Sequence, residues 1–160
     1  MEDLLKIGIV CSAGGHLVQS LLCLEAFKDC ETFLVTYNAR NLAGFQDPRL
    51  SAVYFVRYLG DSYLRLITSL ILSLFTFFRI LAKEKPDVLF STGSEIAIPA
   101  FFLAKFLFGS KIIYLESLTR VTTVSGTGKV VYPISDLFLV QSERLLAKLG
   151  KKALYKGSLL

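Results

Sequence analysis

Residues 10–16 read Val-Cys-Ser-Ala-Gly-Gly-His, and they follow directly on the apolar run Lys6–Val10. The order is strand, small-residue turn, then a helix opening at His16–Leu17. Adjacent glycines let the backbone approach a ligand closely, because no Cβ stands in the way. Amides at the start of the following helix point outward with partial positive charge, which suits a phosphate or pyrophosphate. His16, at the mouth of the turn, is the single histidine of the chain. It is also the side chain whose ordinary pKa lies nearest neutrality. Anion recognition and proton transfer are therefore expected in one place.

The same alternation continues outward from that turn. Apolar runs at Lys6–Cys11, Thr32–Tyr37, Ala52–Arg57, Val88–Ser91, Lys111–Leu115 and Leu137–Gln141 read as strands, with a short last strand near Ala153–Tyr155. Helices are expected over Leu17–Phe27, Ser62–Lys83 (capped by Asp61 or Ser62 and closed by Pro86), Glu95–Phe108 and Ser142–Leu149. Residues 38–50 and 117–129 read as polar loops. Near-continuous apolar strands separated by helices indicate an α/β fold, a Rossmann-like doubly wound parallel sheet. Such sheets bind ligands beyond the carboxyl ends of their strands. The turns at 12–16, 91–95 and 116–120 lie at such ends and are expected to share one crevice.

A length of 160 residues fits one domain, by a prior of about 150 residues each. The apolar fraction is 53%, above the usual ~45–50%, so extra apolar surface is expected against a membrane or a partner. The net charge of +5 favours anionic ligands or lipid. The basic residues are scattered, and no arginine stripe interleaves with aromatics, so nucleic acid is not an expected partner. The three cysteines, Cys11, Cys23 and Cys30, are odd in number and lack a CxxC spacing, which points away from a disulfide framework or structural zinc and towards a reducing compartment. Cys11 reads as a buried strand residue, with a nucleophile beside His16 as the sharper alternative. Glu2, Asp3 and Lys6 interrupt any secretory apolar region.

Leu66–Phe78 holds 13 residues without a charge, about 20 Å of helix at 1.5 Å per residue. That is too short for a span, which needs ~30 Å. Arg65, Ser69, Ser73, Thr76 and Arg79 or Lys83 fall near one line and leave a broad oily face. The helix is either an ordinary buried crossover or a monotopic element lying in a lipid interface. Phe101, Phe102, Phe106 and Phe108 around Lys105 favour membrane contact.

The first turn lacks the GxGxxG spacing, and no acidic residue ends the second strand, so a dinucleotide is not expected. Gly126-Thr127-Gly128-Lys129 has the wrong spacing for a Walker loop and reads as a flexible turn. Three roles stay open for His16: general base, donor to a phosphate, or structural helix-start residue. Glu95 either complements a helix dipole or faces the crevice. Glu116 is a base, an acceptor of sugar hydroxyls, or a salt-bridge partner of Arg120. No ligand cluster calls for a metal or other cofactor.

The turn at 11–17, Ser-Thr-Gly-Ser-Glu at 91–95, Tyr-Leu-Glu-Ser-Leu-Thr-Arg-Val at 114–121, Gly-Thr-Gly-Lys-Val-Val-Tyr-Pro at 126–133 and the closing Tyr-Lys-Gly-Ser-Leu-Leu form an ordered set. Together they resemble the polysaccharide-biosynthesis family similar to the membrane-anchor subunit of the N-acetylglucosaminyltransferase of lipid-linked oligosaccharide assembly, whose bacterial branch includes capsule and exopolysaccharide subunits of the PssD type. The resemblance covers nearly the whole chain. It implies a single domain, 1–160, equivalent to the N-terminal half of a GT-B glycosyltransferase. It also implies a separate partner subunit carrying the nucleotide-sugar site, and a polyprenyl-pyrophosphate-linked acceptor at the cytoplasmic face of a membrane. By the same resemblance Ser12, Gly14, Gly15 and His16 face phosphates, and Ser94, Glu95, Arg120, Thr127 and Lys129 line the cleft. His16 and Glu116 are the candidate bases. The eukaryotic relatives' N-terminal transmembrane helix has no counterpart before the first strand, which gives helix 62–83 the expected role in membrane contact. The alternative is a non-enzymatic membrane scaffold for the catalytic subunit.

Overall fold

The computed structural model describes residues 4–57 and 63–159, and the side chains of residues 63–72 fall outside that description. The expected Asp61 or Ser62 cap lies outside it as well. Seven parallel strands form one sheet in the order β3-β2-β1-β4-β5-β6-β7. They are β1 (Lys6–Val10), β2 (Glu31–Tyr37), β3 (Ala52–Val56), β4 (Val88–Ser91), β5 (Lys111–Leu115), β6 (Leu137–Val140) and β7 (Ala153–Tyr155). The order reverses between β1 and β4, which pair from Ile7 with Val88 to Ile9 with Phe90. That reversal opens a crevice at the carboxyl ends of the two strands.

Alternate strand residues feed two cores, as the period of two demands. Val10, Val35, Leu89 and Tyr114 pack on one face, while Ile9, Leu34, Phe90 and Leu115 pack on the other. The first face is covered by α2 (Tyr63–Glu84), α3 (Ala97–Leu103) and α4 (Gly126–Val131). The second is covered by α1 (Gly15–Leu22) with the 3₁₀ turn Cys23–Phe27. Beside α1, Ile113, Leu115, Leu137 and Leu139 are left lining an apolar groove of about 470 Å³, walled by the extended residues 156–159. The sheet is thus fully dressed on one side and partly bare on the other.

Several expected elements come out differently. The Leu17–Phe27 helix starts two residues earlier and becomes 3₁₀ after Leu22. The Glu95–Phe108 helix begins at Ala97 and ends in a π turn, Ala104–Phe108. Over Ser142–Leu149 the α-helix is confined to α5 (Leu146–Leu149), preceded by a 3₁₀ turn. The polar loop 38–50 contains a 3₁₀ turn at Arg40–Leu42. The largest correction concerns 117–129: its last four residues are no flexible turn but the start of α4, capped by the Ser125 hydroxyl, which accepts from the Gly128 amide. A satisfied N-cap of this kind offsets poor intrinsic propensity.

Helix α2 also faces differently from its expected stripe. Ser73 is buried with Phe77, Ile80 and Leu81, whereas Phe75 is 63% exposed and Phe78 is 45% exposed. The i, i+4, i+7, i+8 spacing of Ser73, Phe77, Ile80 and Leu81 sets the inward face. Phe102, Phe106 and Leu107 are exposed on the neighbouring helix and its π turn, and Phe78 meets Phe108 at 5.5 Å between ring centroids. Phe101, expected in this oily group, is fully buried. Among the described residues no helix is long and apolar enough to cross a membrane.

Candidate functional site

The β1–α1 turn, the β4 turn and the segment after β5 meet in a pocket of about 280 Å³. His16, Gly93, Ser94, Glu95, Ser117, Thr119, Arg120, Ser125 and Thr127 are on its wall. Five of the sequence-selected residues are therefore together: His16, Ser94, Glu95, Arg120 and Thr127. Gly14 and Gly15 stand exposed at the start of α1, with Gly14 as N-cap at φ +87°. A Cβ on either would meet nothing within 4 Å, so the helix start is open to a ligand. Ser12, Gly14, Gly15, Lys129 and Glu116 are not on the pocket wall.

His16 is fixed from β4. Its Nδ1 lies 3.0 Å from the Thr92 carbonyl oxygen. A carbonyl only accepts, so Nδ1 carries the proton, and a neutral ring keeps its lone pair on Nε2. Thr92 Oγ1 donates to the His16 carbonyl oxygen at 2.8 Å and accepts from Ser20 at 3.0 Å. Gly93 is required here: at φ +120°, a Cβ would sit 2.6 Å from His16 Cε1. The turn closes on itself through Ser91, whose hydroxyl donates to the Gly93 carbonyl and accepts from its amide. Ser94 follows with φ +86°, uncommon for a residue with a side chain. Its hydroxyl donates to Glu95 Oε2 at 3.1 Å, while Tyr37 donates to Glu95 Oε1 at 2.9 Å.

Glu116 sits behind the pocket, fully buried. Oε1 accepts from the Ser117 amide, and Oε2 accepts from both the amide and the hydroxyl of Ser125, each at 3.0 Å. The carboxylate thus bridges the two ends of the segment 117–125. Among the described residues Arg120 is not its ion-pair partner, and the Arg120 guanidinium has no carboxylate partner. Burial, and then the Glu116 charge, push the Tyr114 phenol well above its usual range. The phenol donates to Ser125 at 3.1 Å.

Cys11 is fully buried. Burial pushes its thiol up to about 12 against an opposing hydrogen bond with Ser20, which suits a packed strand residue rather than a thiolate nucleophile. No group of three or more potential metal-ligating side chains gathers among the described residues. Gln19 and Gln141 were not among the sequence-selected residues, yet both are buried and hydrogen-bond to the start of the segment after β5. Gln19 takes a core position on α1 and Gln141 ends an apolar strand, and a buried position for such a polar side chain was the available signal.

The architecture matches one half of larger solved structures. Superposition on Acinetobacter baumannii MurG gives a TM-score of 0.76 at 13% identity, covering 94% of this chain and 45% of that one. A UDP-GlcNAc 2-epimerase from Methanocaldococcus jannaschii gives 0.67 at 16% identity, covering 96% and 46%. The chain spans about half the length of each. In sequence it is 30% identical over 167 residues to the Candida albicans UDP-N-acetylglucosamine transferase subunit ALG14, covering 94% of this chain and 76% of that protein. To the Homo sapiens protein of that name it is 25% identical, covering 98% and 83%. The family model for oligosaccharide biosynthesis protein Alg14-like matches residues 7–159, and the chain belongs to that family.

Proposed function

We propose that this chain is the acceptor-side subunit of a two-chain, membrane-associated glycosyltransferase that moves a sugar from a UDP-sugar to a polyprenyl-pyrophosphate-linked acceptor. The observation that carries this is the pinning of His16. His16, with Nδ1 held by Thr92, lines the pocket together with Ser94, Arg120 and Thr127, which supports Nε2 as the group that meets the acceptor. In the proposed step Nε2 takes the proton of the acceptor hydroxyl. The oxygen then bonds to the anomeric carbon of the donor, and the bond from that carbon to the UDP oxygen breaks. General-base help of this kind is worth about 10²–10⁴ in rate. The open amides at Gly14 and Gly15 and the Arg120 guanidinium offset pyrophosphate charge. Glu116 supports the pocket by holding the Ser117 and Ser125 ends of its wall.

In this reading the donor site belongs to a second chain, as the relatives' name of transferase subunit supports. The partner docks at the C-terminal stretch, where the half-bare sheet presents its apolar groove. The name of the relatives makes UDP-N-acetylglucosamine the first donor to test. Attachment is peripheral or monotopic at the cytoplasmic face, through the exposed aromatics of α2 and the α3 π turn.

The test is co-expression with a catalytic glycosyltransferase subunit and transfer of labelled sugar from the UDP donor on isolated membranes. His16→Ala is expected to lower turnover by about 10²–10⁴ while the complex still assembles. Full turnover by that variant would establish the scaffold reading, which the saturated, buried carboxylate of Glu116 favours. Turnover by this chain alone would refute the division of labour.

A further inference from the structure

The segment 116–125 has no helix or strand of its own, yet it brings Ser117, Thr119, Arg120 and Ser125 to the pocket. Glu116 bridges its two ends. Its first residues, Glu116 and Leu118, are held from outside by two primary amides, Gln19 at 9% and Gln141 at 8% exposure. The Gln141 Nε2 donates to the Glu116 carbonyl oxygen at 3.0 Å and to Gln19 Oε1 at 3.1 Å. Gln141 Oε1 accepts from the Leu159 amide at 3.0 Å. Gln19 Oε1 accepts in turn from the Leu118 amide at 3.0 Å, and its Nε2 donates to the Gly15 carbonyl at 3.3 Å. Both Gln141 N–H groups and its oxygen are therefore engaged, and the partners fix its orientation: a flipped amide would set oxygen against two oxygens.

From this relay we infer that Gln141 is a positioning residue for the pocket, holding the segment that bears Arg120 against α1, the helix that bears His16. The function it would serve rests on the reading proposed above. The geometry of the relay does not. Among the described residues no carboxylate holds the Arg120 guanidinium, so the relay acts on Arg120 through its backbone. That backbone is tied by Arg120 N–H to Ser117 O at 2.9 Å, and through the neighbouring Glu116 and Leu118 to the two amides. Among side chains of similar size, methionine keeps the bulk of Gln141 but supplies neither donor. Glutamate would place negative oxygen against Glu116 O and Gln19 Oε1. The relay also ends on Leu159, so seating of residues 156–159 along the apolar groove and order in the Arg120 segment share one set of hydrogen bonds.

Amide hydrogen exchange on the full chain tests the relay directly. In the unmodified protein the Leu118 amide should exchange slowly and the exposed Thr119 amide fast; a fast-exchanging Leu118 amide refutes the relay. Gln141→Met should speed exchange across residues 117–122 by about ten-fold, the equivalent of one lost hydrogen bond, with the strand amides of β1 and β4 unchanged. Gln19→Leu is the second variant and should act on the same amides. Unchanged exchange in this segment, or an equal rise across the whole sheet, overturns the proposal. Pyrophosphate titration supplies a readout that general loosening would not move. Gln141→Met should weaken binding about ten-fold in an otherwise unmodified chain and have no further effect in an Arg120→Ala background. Additive losses would overturn the positioning role. Absence of pyrophosphate binding by the unmodified chain would refute the acceptor reading, while the exchange pattern would still decide the relay.

Discussion

His16 Nδ1 and the Thr92 carbonyl oxygen, 76 residues apart in sequence, lie 3.0 Å apart across the point where the strand order reverses. One hydrogen bond thereby joins the first strand–helix turn to the turn after β4 and sets which imidazole nitrogen is free. If that ring is the base, His16→Ala lowers kcat by about 10²–10⁴ without changing assembly with the partner chain. Gly93→Ala should approach the same loss with His16 still present, because the new Cβ would lie 2.6 Å from His16 Cε1. Steady-state kinetics of both variants check this. Normal kcat in Gly93→Ala would dissociate ring placement from turnover.

Ser94 holds φ +86°, a conformation that costs a residue with a side chain about 1–3 kcal/mol. Ser94→Gly should therefore raise the melting temperature by about 2–4 °C per kcal/mol relieved. It also removes the hydroxyl that donates to Glu95, so turnover should fall as stability rises. Calorimetry paired with kinetics checks the trade, and a less stable Ser94→Gly would show that the hydroxyl outweighs the strain.

The sheet and the crevice were legible because both are written locally. Buried parallel strands read as short apolar runs, and a Gly-Gly-His turn directly after such a run marks where the backbone opens. What stayed illegible depends on distant partners. Residues 126–129 read as a loop since glycine and threonine are poor helix formers. They form helix because Ser125 caps the Gly128 amide while Glu116, nine residues earlier, binds Ser125. The outward turn of Phe75 follows from the packing of Phe77, Ile80 and Leu81 on the sheet. A stripe of small polar residues carried no sign of that packing. Gln19 and Gln141 are separated by 122 residues, and no local pattern pairs them.

Glu116 and Gly128 are coupled by contact: a Cβ on Gly128 would lie 2.4 Å from Glu116 Oε2. Glu116→Ala leaves the Ser117 and Ser125 amides without their acceptor. Each unsatisfied buried group costs about 1–3 kcal/mol. Gly128→Ala should destabilise by about 1–3 kcal/mol through forced displacement of the same carboxylate. In a double-mutant cycle the two losses should not add, because either change breaks the same clamp. Urea unfolding of the four proteins checks it, and strict additivity would mean the clamp is not one unit.

Asp136 links the α3 π turn to β5 and β6. It accepts from Lys105 at 2.6 Å and from the Ile112 amide at 2.7 Å. Burial alone would push its carboxyl up, but the Lys105 and Ile112 hydrogen bonds and the Lys105 and Lys111 charges outweigh burial and hold it below the usual range. A depressed folded value contributes stability that is complete above the unfolded carboxylate value of about 3.9 and is lost as pH falls through the folded one. The group is partly exposed, so Asp136→Asn should cost only about 1 kcal/mol at pH 7. The gap between variant and parent should close as pH drops below about 3.9. Unfolding midpoints at several acid pH values check this, and a gap that widens on acidification would contradict the sign.

Phe75 and Phe106 are 63% and 66% exposed, so neither contributes much to the folded core. Arg79 lies 5.9 Å from the Phe75 ring centroid, and Lys83 is exposed one helical turn further on. Burying an exposed phenylalanine fully is worth about 1.5–3 kcal/mol, and partial insertion between lipids gives about 1 kcal/mol for each ring. Phe75→Ser with Phe106→Ser should therefore weaken sedimentation with phosphatidylglycerol-containing vesicles by about ten-fold or more. The melting temperature should barely move, since surface changes usually stay within about 0.5 kcal/mol. Binding should also weaken with added salt, because the cations beside the rings are solvent-facing. Undiminished vesicle binding by the double variant would assign attachment to another surface of the chain.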